Sequence, residues 1–392
     1  MRTTQIERLA LGALVAAAVL AGSPAEVAAG RPRERRAKNV ILMVPDGMAL
    51  SNVTAARILK SGVGGDRLSF ETLGQIGYQR NYSADSTVTD SAAAASAWAC
   101  GERFANGELC AHADGRPHPP NILELASASG RATGLVATST VTHATPAAFG
   151  AHVASRGCEN EIARQYLELT RPDVILGGGL ASFTATTPDA CGAAGQWLPK
   201  AGASGYVVVR TKAEMQTAVG KGARKLLGLF SQAGLTPESL RPPDTPEPRL
   251  PEMTAAALGV LEKNKHGFFV MIEGSQIDWA NHETDLPYLL GEMLAFDEAV
   301  RVVLRWIEAR PERRAETLLI VTPDHHTGGL TISGPRGHHP AAGEVVDVAW
   351  ANKVHGGEDV VFWSQGPRSQ ALGRAIDNTD LYRVMREALS TR

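Results

Sequence analysis

Short, nearly unbroken apolar runs punctuate the chain at Val40–Val44, Thr133–Ala137, Val174–Leu176, Tyr206–Val209, Phe268–Ile272, Leu318–Val321 and Val360–Trp363. Runs of this length that end in polar or glycine residues are what strands buried on both faces of a parallel sheet require. Helical candidates lie between them, at Asn121–Ser129, Glu159–Leu169, Thr254–Lys263 and Leu286–Ala309. The alternation predicts an α/β fold with a doubly wound, largely parallel central sheet flanked by helices on both faces. Arg241–Glu252 carries five prolines and reads as a stiff surface connection, the one internal seam. No internal repeat is present.

The N-terminus breaks this pattern. Arg2 and Arg8 precede an uncharged apolar stretch from Leu9 to Ala21, and small residues follow at Ala25, Val27, Ala28 and Ala29. This is the layout of a secretory signal, with cleavage expected near Ala25 to Ala29. The stretch is shorter than the roughly 18–20 apolar residues of a membrane span. Residues 1–29 are therefore expected to be a signal peptide, residues 30–392 a single domain, and the protein exported to a periplasmic or extracellular location. Four cysteines, Cys100, Cys110, Cys158 and Cys191, fit an oxidising compartment. Of the three pairings open to them, the local one, Cys100–Cys110 with Cys158–Cys191, is preferred. Lys and Arg total 39 against 41 Asp and Glu, with no basic run beyond Arg31 to Lys38, so no nucleic-acid footprint is present.

Ligands of doubly wound sheets sit beyond the carboxyl ends of the strands. Metal-ligand residues gather there. Val40–Val44 leads to Asp46, and Phe268–Ile272 leads to Glu273, then Asp278 and His282. Leu318–Val321 leads to Asp324 and His325, and His355 precedes Val360–Trp363. One Asp at a strand end is ordinarily a cap, but several segments sharing the pattern are not explained by capping. Asp278 and His282 stand four residues apart, so on a helix both face one way, as a chelating pair must. The residues alone point to metal-assisted hydrolysis and leave the substrate open.

Val44-Pro45-Asp46-Gly47-Met48, Val88-Thr89-Asp90-Ser91-Ala92-Ala93 and Thr142-His143-Ala144-Thr145-Pro146-Ala147 resemble motifs of alkaline phosphatases. So do Glu273-Gly274-Ser275-Gln276-Ile277-Asp278-Trp279 with His282, Thr322-Pro323-Asp324-His325, and His355-Gly356-Gly357-Glu358-Asp359-Val360. They occur in family order from about residue 38 to 366. The resemblance implies a catalytic domain that hydrolyses phosphate monoesters, with two zinc ions and one magnesium ion. Asp278, His282 and His355 match the ligands of the first zinc, and Asp46, Asp324 and His325 those of the second. Asp46, Thr145 and Glu273 match a magnesium-type site, whose oxygen donors suit a hard cation. Arg156 matches the arginine that clamps phosphate, and its planar fork can hold two oxygens at once. Ser91 matches the nucleophile, at a helix N-terminus whose free N–H groups suit phosphate. Asp90 is expected to orient the loop or Arg156, and a homodimer is expected on the resemblance alone.

Several positions depart from the family pattern. His143 and Trp279 stand where some bacterial relatives have Asp and Lys, and both are expected beside the bound phosphate and the magnesium site. His326 replaces the acidic residue of Asp-His-Glu-Thr-Gly-Gly, and Gly356 stands where Thr is common. Ala92 to Ala95 lack the Pro and Arg that a sulfatase needs after its nucleophile. The alternatives are a phosphodiesterase side activity and an inactive metal- or phosphate-binding protein.

Overall fold

The computed structural model describes residues 36–390. The expected signal peptide and its cleavage site lie outside the described residues. These fall within one compact unit, Arg35–Arg392. In chain order the strands are β1 (Asn39–Pro45), β2 (Gln75–Arg80), β3 (Ala132–Thr140), β4 (Val174–Gly178), β5 (Val207–Val209), β6 (Leu226–Leu229) and β7 (Phe268–Gly274). Then come β8 (Thr317–Val321), β9 (His326–Thr327), β10 (Leu330–Gly334), β11 (Asp347–Trp350), β12 (His355–Gly356), β13 (Val360–Gln365) and β14 (Ala375–Asp377). Ten of them form one sheet in the order β14-β2-β13-β8-β1-β7-β3-β4-β6-β5. All its pairings are parallel except those of β13, which runs antiparallel to both β8 and β2. The doubly wound, largely parallel sheet expected from the apolar runs is present.

Burial explains why the central strands read as continuous apolar runs. Val40, Leu42 and Val44 of β1 enter one hydrophobic layer, and Ile41 and Met43 enter the other. The first layer is closed by helices Ser91–Cys100, Ile122–Ala128, Ala144–Gly150 and Thr379–Leu389, the second by Leu50–Ser61, Leu250–Leu261 and Leu286–Glu308. Each fully buried aliphatic side chain contributes about 1.5–3 kcal/mol relative to an exposed one. The strands absent from the sequence reading are those whose pattern differs. β2 alternates exposed and buried residues towards the sheet edge, β14 has three residues, and Gly228 interrupts the apolar run of β6.

The helical candidates are present with shifted ends. Asn121 accepts from the Glu124 N–H and caps Ile122–Ala128, while Glu159–Gln165 continues as one π-turn over Tyr166–Thr170. The third begins earlier than expected, at Leu250, because Pro251 sits in the first turn, where its missing N–H costs nothing. The last three residues of the proline-rich segment therefore already belong to a helix. Ahead of them, the Arg241 guanidinium donates to the Thr236 carbonyl at 2.7 Å.

Both local disulfides are present, Cys100–Cys110 and Cys158–Cys191. The second ties the start of helix Glu159–Gln165 to a loop 33 residues further on. A native disulfide closing a loop of this size contributes roughly 2–5 kcal/mol. The Cys158→Ser/Cys191→Ser variant is therefore expected to lose roughly 2–5 kcal/mol of stability in urea unfolding; an unchanged midpoint would contradict this.

Candidate active site

The site forms where β1, β7 and β8 end. Asp46 follows β1, and Gly47 adopts φ +70° directly against helix Gln276–Glu283. A Cβ at Gly47 would come within 2.7 Å of Asp278 Oδ1, so only glycine fits in both conformation and space. Its N–H donates to Asp324 Oδ1 at 3.0 Å, and its carbonyl accepts from the Thr327 N–H at 3.0 Å. One glycine thus joins the ends of all three strands. Because β13 runs antiparallel to β8, its amino end lies at this same edge, which carries His355 there. The ladder pairing β9 with β12 then sets His355 opposite Thr327 and leaves the His325 and His355 rings stacked at 3.6 Å.

Two groups of donors have ligand atoms within 4.8 Å of one another: Asp278, His325 and His355; and Asp46, Asp324 and His325. His325 stands between them. His282 closes the first group, with Nε2 3.3 Å from Asp278 Oδ2 and 3.1 Å from His355 Nε2. That last distance is informative. His282 Nδ1 lies 2.6 Å from the Lys353 carbonyl and His355 Nδ1 lies 3.1 Å from the Thr89 carbonyl, so each Nδ1 must carry the proton. The two Nε2 atoms therefore face one another beside the Asp278 carboxylate, and in the neutral rings both would offer lone pairs, an arrangement that suits a shared cation. Two nitrogens bound at about 2.0 Å to one tetrahedral ion lie about 3.3 Å apart.

The carboxylates make the same demand. Both Asp46 oxygens are buried without a hydrogen-bond partner. Burial, and then the Asp324, Asp278 and Glu273 carboxylates, push the Asp46 carboxyl well above its usual range. Burial likewise pushes Glu273 up to about 7, against the hydroxyls of Thr145 and Ser275. Ser275 Oγ donates to Glu273 Oε2 at 2.7 Å, whereas Glu273 Oε1 and the nearby Thr145 Oγ1 make no well-formed hydrogen bond. Buried acids of this kind are stable as anions only against positive charge. The donor sets fit two imidazole-and-carboxylate metal positions and one all-oxygen position formed by Asp46, Thr145 and Glu273.

Ser91 opens helix Ser91–Cys100, with Asp90 as its cap: Asp90 Oδ1 accepts from the Ala93 N–H at 2.9 Å. Ser91 Oγ lies 3.2 Å from His325 Nε2. Asp90 Oδ2 accepts from Arg156 Nη1 at 3.0 Å and from the Gly107 N–H at 3.0 Å. Arg156 Nη2 donates to His143 Nε2 at 3.2 Å. Burial, with Arg156 beside it, lowers His143 to about 4, so it is a neutral acceptor there. Trp279 meets His143 edge-on at 6.0 Å and packs against Gly234.

The sequence model of the alkaline phosphatase family matches residues 37–345. The chain belongs to the alkaline phosphatase family. It is 35% identical to streptomycin-6-phosphate phosphatase of Streptomyces griseus, with 95% of each chain covered. It is 32% identical to the alkaline phosphatase of Escherichia coli K12, over 91% of this chain and 87% of that one. The solved alkaline phosphatase of the Antarctic bacterium TAB5 superposes with a TM-score of 0.79 at 29% identity, covering 91% of this chain and 99% of that one. A TAB5 variant of the same likeness, at 28% identity, is described with Mg bound in the M3 site. The chain is accordingly an alkaline phosphatase-type phosphomonoester hydrolase.

Every residue that the sequence assigns to the site of this alkaline phosphatase lies at this edge of the sheet. Several supporting residues were not assigned roles. Thr327 Oγ1 donates to Asp278 Oδ1 and lies 3.3 Å from His325 Nδ1, orienting both. Asn81 donates to the Asp324 carbonyl at 3.2 Å. Gln79 donates to Thr322 Oγ1 at 2.6 Å and accepts from Trp98 Nε1 at 2.9 Å, tying helix Ser91–Cys100 to the end of β8. Thr327 sits inside a recognised motif; Gln79 and Asn81 carry no local signal, because their partners are far away in sequence. Cys100, His118 and His152 also cluster, but Cys100 is disulfide-bonded. Both His152 nitrogens there face acceptors, the Cys110 carbonyl and Glu124.

Asp90 joins a cap to the orientation of an arginine. Asp90→Ala should cost about 1–2 kcal/mol in urea unfolding from loss of the cap, and Asp90→Asn, which can still cap, well under half of that. Equal losses in the two variants would contradict the capping geometry.

Proposed function

We propose that the phosphate monoester is hydrolysed through a phosphoserine on Ser91. The observation that carries this is the place of Ser91 Oγ: first residue of a capped helix and 3.2 Å from His325 Nε2. Ion positions at Asp278, His282 and His355 and at Asp46, Asp324 and His325 are proposed to hold zinc. Asp46, Thr145 and Glu273 are proposed to hold magnesium, a reading supported by the Mg described in the M3 site of the TAB5 variant. When bound, the zinc pair would supply Lewis-acid charge neutralisation and lower the pKa of a hydroxyl or water.

The side chains of this chain would do the rest. Ser91 Oγ attacks phosphorus in line as its proton passes to solvent, and the ester oxygen departs with its electron pair and takes up a proton, which leaves phosphoserine. Water then attacks from the vacated side and gives a proton to solvent, and Ser91 Oγ leaves with its electron pair and is reprotonated as phosphate is freed. Arg156, held by Asp90 and the neutral His143, points its fork at the phosphoryl oxygens, and the first-turn N–H groups of the Ser91 helix add positive potential. Thr327 and the Nδ1 partners of His282 and His355 keep each ligand atom aimed inward. Such catalysis is positioning and charge neutralisation, which suits a loose transition state.

Substrates are small phosphate monoesters, the class to which streptomycin 6-phosphate, named in the Streptomyces griseus relative, belongs. Export is part of the proposal. It is supported by the signal-like pattern in residues 1–29 and by the two disulfides, which persist in oxidising compartments.

The test is an acid quench of the full chain with a radiolabelled chromogenic monoester. Wild type should retain label on Ser91. Ser91→Ala should retain none, keep its bound metal, and turn over on the order of a thousandfold more slowly or worse. Label retained by the variant at wild-type levels contradicts the assignment.

A further inference from the structure

Two of the departures from the family motifs, His326 and Gly356, are one spatial feature. They sit directly opposite each other in the β9–β12 ladder. A Cβ at Gly356 would overlap His326 Nε2 and Cε1 and the Glu358 carboxylate. Gly356 does not have the left-handed φ that demands glycine elsewhere in the chain, so space rather than backbone conformation requires it. The His326 ring fills that space. It is buried at 8% exposure, and its Nε2 contacts Glu358 while Nδ1 is buried without a hydrogen-bond partner.

This ladder is two residues long on each strand. A two-stranded element so short does not hold itself together in water. It pairs the segment that carries His325 with the segment that carries His355 right beside the two rings, which stack at 3.6 Å, and the Gly328 N–H to Val354 carbonyl bond at 2.9 Å continues the pairing. Neighbouring residues in a strand point to opposite sides, so His325 turns inward to the carboxylates while His326 lies over the ladder's other side. The Glu358 side chain is 72% exposed, and an exposed pair of this kind adds little. The seat against Gly356 is therefore the main restraint on the ring.

We propose that His326, packed into the space left by Gly356, is a positioning residue that holds the His325 and His355 rings at the spacing needed by adjacent metal ions. This rests on the reading above that His325 and His355 are ligands. A side chain at 356 is harmful because His326 is there, and His326 is compatible with the ladder because 356 has no side chain.

The test is a double-mutant cycle on the full chain with Gly356→Ala, His326→Ala and the double variant. Zinc affinity is read by competition with a chromophoric chelator, and ligand geometry by the visible absorption of the cobalt(II)-loaded protein. Gly356→Ala should weaken zinc binding by about 10–100-fold, and His326→Ala by about tenfold. Adding Gly356→Ala to His326→Ala should cost less than about twofold more. The metal-free melting temperature of His326→Ala should stay near wild type while its cobalt spectrum changes, which a merely structural role would not produce. An equal loss from Gly356→Ala in both backgrounds overturns the proposal and leaves the ligand reading intact. Wild-type zinc affinity in His326→Ala overturns it as well, even where Gly356→Ala does not fold. Failure of the wild type to bind zinc overturns both.

Discussion

Imidazole nitrogens and carboxylates crowded against one another at one edge of the sheet are the constraint on which this molecule is built. His282 and His355 aim Nε2 at each other, and Asp46 is buried with two unpartnered oxygens beside Asp324, Asp278 and Glu273. A buried ion costs several kcal/mol unless it is paired. Against a net stability of about 5–15 kcal/mol for a whole domain, such a cluster calls for neutralisation, by protons on its carboxyls or by cations among them. Cations bound among these groups would therefore stabilise the native arrangement of this edge.

The fold converts that constraint into a defined geometry. Parallel β1, β7 and β8 end side by side, so Asp46, Glu273 and Asp324 arrive together, and Gly47 lets the three ends touch. The antiparallel course of β13 brings His355 to the same edge from the opposite direction. The Ser91 helix is fastened to the end of β8 through Trp98, Gln79 and Thr322. Ser91, Arg156 and the donor groups are each held by side chains from a different part of the chain, and a rigid site needs such support.

Much of this was legible in the amino-acid order because the chemistry is local to motifs. Asp278 and His282 declare a shared helix face, and Asp324–His325 follows directly on an apolar run. Double-sided burial makes β1, β7 and β8 readable as runs, whereas β2 is only half-buried and resembles a loop. What could not be read is everything that depends on distant partners. The direction of β13 has no signature in its own residues, although it decides how His355 reaches the site. His325 stands between both donor groups, a fact of geometry rather than motif membership. His326 and Gly356 looked like two unrelated departures until the ladder placed them opposite one another.

Anomalous diffraction at the zinc absorption edge, from crystals of the protein purified with zinc, tests whether this crowded edge holds metal. One peak is expected among Asp278, His282 and His355 and a second among Asp46, Asp324 and His325. Crystals of intact, folded protein with no zinc peak among these residues, or with zinc only at other sites, would contradict it.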